Sequence, residues 1–245
     1  MAPQSTLPAV AAHGATRLPS VELDSYNLVL GALTTFSEIR HSPLCRDVMP
    51  ALVEAAATIG AAQIQNRATI GGNVMNASPA GDSLPVLLAA DAEFVAGSRR
   101  GERTIPAAAF WVAYRTTALK PDELLLRVRI PLTPGRELRF RKVGTRRAQA
   151  ISKVVLALAR TEDEPGGRWS EVRLALGSVA DRPVRAAATE AVLEGAEPDQ
   201  ATADRAADTL AGELRPIDDV RSTADYRRTV GARVLHRLVR EAGGW

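Results

Sequence analysis

The spacing of apolar and polar positions changes several times along the chain, and each change marks an element. Residues 28–33 form an apolar run with a glycine break, bounded by Asp24-Ser25, which predicts a strand. Thr35 and Ser37 are placed to cap a short helix through Ile39. Met49, Leu52, Val53, Ala56 and Ile59 recur at helical spacing, and Gly60 supplies the stop. That helix hands the chain to a loop over residues 63–73. Residues 83–90 predict a second helix, with Ser83 as its cap and Pro85 in its first turn. Residues 93–96 and 104–106 read as short strands about a turn at 97–101. Residues 124–131 end in an alternation that puts Leu126, Val128 and Ile130 inward and Arg127 and Arg129 outward, a half-buried strand.

Pro134-Gly135 marks a domain boundary. Beyond it Leu138, Phe140 and Lys142 alternate with Arg139, Arg141 and Val143, and residues 151–158 and 172–176 predict two more strands around the polar loop at 162–167. Hairpin-connected neighbours of this kind make a small antiparallel sheet. Residues 185–193, 202–214 and 223–242 carry helical patterns. In the last, Tyr226, Val230, Val234, Leu235, Leu238 and Val239 form the apolar stripe. Sheet-forming segments followed by helices predict an α+β fold. Residues 1–20 hold three prolines and no period, and read as a flexible lead-in. The expected division is a lead-in over 1–20, one subdomain over 21–134 and a second domain over 135–245.

A chain of 245 residues can bury a full core. Aromatic residues make up only 4%, so that core must be built from Ala, Val, Leu and Ile. The net charge is +3, with arginines interleaved among Asp and Glu and only Lys120, Lys142 and Lys153 as lysines. This is a solvated mixed surface, without the basic stripe that nucleic acid requires. One cysteine, Cys45, excludes an internal disulfide and any iron–sulfur or zinc site built on several thiolates of this chain. His13, His41 and His236 have no metal-ligand spacing, so no metal site and no catalytic residue is assigned, and a redox metal must sit on a partner. No apolar run reaches membrane-spanning length, and residues 1–20 lack the pattern of a secretory signal; the expected location is cytoplasmic.

The segment Thr69-Ile70-Gly71-Gly72-Asn73, followed by Asn76-Ala77-Ser78-Pro79 and Asp82, carries the candidate chemistry. Adjacent glycines let a backbone turn sharply and let peptide N–H groups approach a ligand. Thr69 and Asn73 add short hydrogen-bonding side chains, and Asp82 an acceptor-only group. Such a segment also serves as a plain turn, and Asp82 equally suits a dipole-favoured helix start.

Several collinear motifs carry a resemblance: RATIGGNVMNASPAGDSLPVLLAADAEF from Arg67, RTIPAAAFW from Arg103, PDELLLRVRIP from Pro121, FRKVGTRRAQAISKVVLALA from Phe140 and STADYRR from Ser222. From about Leu28 to the C-terminus the chain resembles the flavin-binding medium subunit of the molybdenum hydroxylases, the xanthine dehydrogenase and carbon monoxide dehydrogenase group. The RKVGTRRAQAISK segment is more similar to the xanthine dehydrogenase branch. The resemblance implies an FAD domain of the vanillyl-alcohol oxidase and p-cresol methylhydroxylase type, followed by a three-stranded antiparallel sheet packed with helices. It implies FAD contacts at Thr69, Ile70, Gly71, Gly72 and Asn73, an acidic contact at Asp82, a backbone contact at Leu125, a basic residue near the flavin at Lys142, and the approach of a helix end at Ile59. A lysine so placed stabilises negative charge on a reduced flavin; on residue type alone Lys142 is an outward strand residue. Arg146 and Arg147 either steer an anionic acceptor or are solvated arginines.

The implied partners are a large subunit with the molybdenum cofactor and a small subunit with [2Fe-2S] clusters. Electrons would pass from those clusters through FAD to NAD or another acceptor. Family members also carry an upstream Ala-Gly-Gly-Thr type loop that holds the FAD pyrophosphate, and the sequence contains no such loop. A start placed too far downstream, a truncated gene and a loop supplied by a partner chain all remain open. A flavin-free structural or assembly subunit, or a truncated remnant of a flavin-binding one, is the alternative function, and a stand-alone flavin oxidase is disfavoured because Cys45 and the histidines lie outside the motifs.

Overall fold

The computed structural model describes residues 21–146 and 149–245. The lead-in expected over 1–20, and Arg147, lie outside the described residues.

The first half builds an antiparallel sheet flanked by short helices. Strands β1 (Val21–Asp24) and β2 (Asn27–Gly31) form a hairpin turned at Ser25, and the chain then runs through α1 (Phe36–His41), α2 (Pro43–Val48), α3 (Pro50–Thr58), α4 (Ala62–Gln65), α5 (Ile70–Asn76) and α6 (Ser83–Ala89). It continues through β3 (Glu93–Ser98), β4 (Gly101–Pro106), α7 (Ala107–Phe110), β5 (Trp111–Ala113), β6 (Thr116–Thr117) and β7 (Leu124–Pro131). The larger sheet has the order β1-β2-β7-β3-β4, so β7 returns to its centre. Alternation buries Leu28, Leu30, Phe94, Val128 and Ile130 completely on one face and leaves Arg127 and Arg129 on the other. Thr35 caps α1 as expected, in a capping box with Glu38.

One expectation in β7 fails. The register against β3 slips after Val95↔Arg127 to Ala96↔Leu125, a bulge at Leu126. The extra residue reverses the alternation, so Leu125 rather than Leu126 packs against the core. Leu126 instead lies over Gly97, where a Cβ would come within 2.4 Å of its side chain.

The second half contains β8 (Glu137–Val143), β9 (Val154–Glu162), β10 (Trp169–Gly177), β11 (Val184–Arg185), α8 (Ala187–Leu193), α9 (Gln200–Glu213) and α10 (Ala224–Gly243). The sheet has the order β11-β10-β9-β8, so the expected three strands gain a fourth. That strand is only Val184–Arg185, too short to show a period. β9 is buried on both faces, which its unbroken apolar run requires. Val155, Ala157 and Ala159 join the core shared with the first half, whereas Val154, Leu156 and Leu158 join a second core under α9 and α10. The two halves are thus packed through β9.

The stripe on α10 also needs correction. Leu235, Leu238 and Val239 are buried and Val230 and Val234 half-buried, but Tyr226 is 42% exposed and its neighbour Arg227 only 4%. The Arg227 guanidinium reaches a carbonyl and a carboxylate, which makes its burial tolerable. The Tyr226 ring turns outward instead, with the Lys153 ammonium 4.8 Å from its centroid.

Candidate functional site

The glycine pair does not form a turn. Thr69 is the N-cap of α5, its Oγ1 accepting from the Gly72 N–H at 3.0 Å, so Gly71 and Gly72 stand in the first turn of a helix. The loop expected over 63–73 is largely α4 and the start of α5. The Ile70 N–H donates to Thr34 O, the Gly71 N–H to Ala32 O and the Asn73 N–H to Thr69 O, at 2.9, 2.9 and 3.0 Å. With Gly72 on Thr69, all four amides are satisfied within the chain, so the expected set of free N–H groups is not formed. The two glycines have different reasons. A Cβ on Gly71 would lie 2.5 Å from Ala32 O, so that glycine is required for packing. Gly72 is exposed and meets only Thr69 Oγ1, leaving bare backbone at the surface.

Asp82 occupies the N-cap position of α6 without capping it. Ser83, the expected cap, lies inside the helix, and its Oγ donates to Asn73 Oδ1 at 2.7 Å. The Asp82 carboxylate turns away to the second half of the chain. Its Oδ2 accepts from Lys142 Nζ on β8 at 2.6 Å and from Thr58 Oγ1 at 3.2 Å. Lys142 also donates to Thr58 O at 3.2 Å. The pair is buried, with side chains 8% and 9% exposed, so Lys142 is not an outward strand residue. Burial pushes the Asp82 carboxyl above its ordinary value, and Lys142, Thr58 and Ser152 pull it back only in part. Asp82 Oδ1 is buried and makes no hydrogen bond within the protein by distance and angle, the nearby Ser152 hydroxyl being engaged with Ala80 O and Ser178 Oγ instead.

The nine residues named from the sequence lie along a path made partly of hydrogen bonds and partly of chain neighbours. Leu125 packs in the core beside Leu126, whose carbonyl accepts from Ala32 N–H at 2.9 Å. Ala32 holds Gly71 and so links β7 to Thr69, Ile70, Gly72 and Asn73. Asn73 meets Ser83, next to Asp82; Asp82 meets Lys142 and Thr58; and Ile59 follows Thr58 as the C-cap of α3. The Ile59 carbonyl accepts from the buried Gln65 Nε2 at 3.0 Å. Ala32, Thr58, Gln65 and Ser152 were not named from the sequence, Ser83 was named only as a helix cap, and of the unnamed four only Thr58, beside Ile59, carried a positional hint. Cavities of about 380 Å3 on the outer face of the larger sheet and about 770 Å3 beside Pro134 contain none of the nine in their walls. Among the described residues no group of His, Cys, Asp and Glu is placed to hold a metal ion.

A family described as the FAD binding domain in molybdopterin dehydrogenase matches residues 5–133, and the CO dehydrogenase flavoprotein C-terminal domain matches residues 139–242. The chain belongs to the FAD-binding medium subunits of the molybdenum hydroxylases. Among curated relatives it is 27% identical to the carbon monoxide dehydrogenase medium chain of Hydrogenophaga pseudoflava, over 92% of this chain and 78% of that one. It is 29% identical to the xanthine dehydrogenase FAD-binding subunit of Escherichia coli O157:H7, over 95% and 81%. Among solved structures, the reconstituted CO dehydrogenase from Oligotropha carboxidovorans superposes with a TM-score of 0.85 at 27% identity, covering 91% of this chain and 78% of that one. Both branches of this medium-subunit family are therefore represented among the relatives, at nearly equal identity.

The residues of the path fit the chemistry of a flavin dinucleotide. Gly72 offers surface backbone without a side chain. Asp82 Oδ1 is an acceptor lacking a donor, and the hydroxyl groups of such a cofactor are donors. Lys142 brings a cation to the same place, suited to an anionic group. Among the described residues no helix is long and apolar enough to cross a membrane.

Proposed function

We propose that this chain is the FAD-holding, electron-transfer subunit of a xanthine dehydrogenase-like molybdenum hydroxylase complex. Its electrons come from [2Fe-2S] clusters on a small partner and leave to NAD or another acceptor, while substrate is hydroxylated at a molybdenum cofactor on a large partner. The working location is the cytoplasm. The observation that carries the reading is the buried Asp82–Lys142 pair, which joins the two family-matched halves beside α5 and leaves one buried carboxylate oxygen without a partner. When bound, FAD would supply the redox chemistry, and the protein its position and electrostatics.

Each residue has a distinct part in that reading. Thr69 holds the first turn of α5, and Gly72 leaves its surface bare. Asn73 fixes Ser83 and hence the start of α6. Asp82 would hold a cofactor hydroxyl through Oδ1, with Oδ2 on Lys142. Lys142 would supply the cation that stabilises negative charge developing on a reduced flavin. Leu125 and Ile59 border the path at its two ends.

The test is the flavin released on denaturing the purified chain, identified by its fluorescence, both for the chain alone and for the complex after addition of FAD and gel filtration. Stoichiometric FAD is expected. A chain that releases no flavin, alone or from the complex, overturns the reading and favours a flavin-free assembly subunit.

A further inference from the structure

We propose that Arg227, the buried arginine of the 222–228 segment, is a positioning residue for the Asp82–Lys142 pair. Its guanidinium ties three places together. Nη1 donates to Ser178 O and Nη2 to Asp219 Oδ1, each at 2.6 Å. Asp219 is itself held by the N–H groups of Arg221 and Ser222, at 2.9 and 3.0 Å, so the guanidinium is fixed from the side of its own loop.

What makes the arrangement more than a tie between α10 and its sheet is the direction of the remaining bonds. Ser178 stands at φ 66, in the left-handed region that a non-glycine residue rarely adopts. In that conformation its N–H donates to Pro79 O at 2.8 Å, and its Oγ to Ser152 O at 3.0 Å. The Ser152 Oγ lies 2.9 Å from Ser178 Oγ and 3.3 Å from Ala80 O. Ser152, Ser178 and Arg227 are all at most 5% exposed. Pro79 and Ala80 belong to the first half of the chain and lead directly into Asp82. The adjoining Gly177 packs so close that a Cβ there would stand 2.9 Å from Pro79 O. Arg227 thus holds Ser178, and Ser178 and Ser152 hold the 79–81 turn, which sets where the Asp82 carboxylate meets Lys142. Buried bonds of this kind have no water to replace them, so loosening one link is felt along the chain.

The functional consequence rests on the flavin-site reading, but the positioning itself does not. The experiment uses the full chain with Arg227→Met, Arg227→Lys and Ser152→Ala. Amide hydrogen exchange over residues 80–82 is measured beside FAD affinity, read from quenching of flavin fluorescence. Arg227→Met and Ser152→Ala are expected to speed exchange over 80–82 about tenfold while α9 keeps its protection. They are also expected to raise the FAD Kd about tenfold, with partial recovery in Arg227→Lys. Faster exchange confined to α10 and residues 215–223, with 80–82 and the Kd unchanged, would show a merely structural arginine and overturn the proposal. Should Arg227→Met fail to fold, Arg227→Lys, which keeps the charge but loses the forked reach to Ser178 O and Asp219 Oδ1, carries the same test on a smaller scale. If the unaltered chain binds no FAD, the flavin reading fails, and exchange over 80–82 still decides the role of Arg227.

Discussion

The Gly71 amide donates to the Ala32 carbonyl at 2.9 Å, and a Cβ on Gly71 would stand 2.5 Å from that same oxygen. Both atoms belong to backbone, one on the loop after β2 and one in the first turn of α5, so neither can swing aside. Gly71→Ala is therefore expected to destabilise the chain by about 1–3 kcal/mol through overpacking. For a chain of this size that lowers Tm by roughly 2–4 °C per kcal/mol. A thermal melt with an unchanged midpoint would show that α5 can shift from Ala32 at no cost.

Gly72→Ala should behave oppositely. Position 72 is exposed, and an added methyl would meet only the Thr69 Oγ1, at 3.0 Å. Replacing a helical glycine by alanine favours the helix by up to about 1 kcal/mol, so the folded chain should be unharmed or slightly stabilised. FAD affinity should nonetheless fall, because the methyl covers the bare backbone that the cofactor is proposed to lie against. Titration of flavin fluorescence measures this. An unchanged Kd with an unchanged Tm would remove Gly72 from the site.

The difference between the two glycines shows where sequence reading stops. Their proximity and the flanking Thr69 are visible in the sequence, and the α+β class and most strands follow from period alone. Thr69 also signals a helix N-cap, but a Gly-Gly pair counts against a helix interior, so the segment reads as a turn. Ala32 cannot be named in advance, because nothing local marks a backbone oxygen that a segment 39 positions later will approach. The Leu126 bulge was equally hidden, since three successive leucines give no sign of where alternation reverses. Tyr226 and Arg227 exchange their expected places because the partners that make a buried arginine tolerable, Ser178 and Asp219, come from distant segments. Lys142 reads as an outward strand position until Asp82, sixty residues away in the chain, is placed against it.

Asp219 supplies a pH-dependent prediction. Burial alone would raise its carboxyl, but the N–H groups of Arg221 and Ser222 and the Arg227 guanidinium hold it below the ordinary value of 3.8. A carboxyl depressed in the folded state adds stability that is complete above the unfolded value and is lost as pH falls through the folded one. Asp219→Asn keeps the shape and removes the charge. The partly exposed site argues for a modest effect, about 1 kcal/mol, and a Tm lower by roughly 2–4 °C at pH 6. The gap should close as both proteins are acidified below pH 3.8. A gap that stays constant down to pH 3 would assign the effect to geometry rather than charge.

Asp82 and Lys142 give the prediction with the opposite sign. Lys142→Met leaves the Asp82 carboxylate buried at 8% exposure with only Thr58 Oγ1 as donor to Oδ2. Removing one partner of a buried pair costs about 3–5 kcal/mol when the other stays charged. The Asp82 carboxyl is already raised by burial, and losing the ammonium that opposes this raises it further. Between the unfolded value near 3.8 and the folded value, the native state then holds the extra proton, so stability falls as pH rises through that window. Lys142→Met should therefore melt close to the unaltered chain below pH 3.8 and well below it at pH 7. Asp82→Asn added to Lys142→Met removes the stranded charge and should recover most of the loss at pH 7, with little effect at low pH. A Lys142→Met deficit that grows on acidification would show that the pair is not held as the structure shows it.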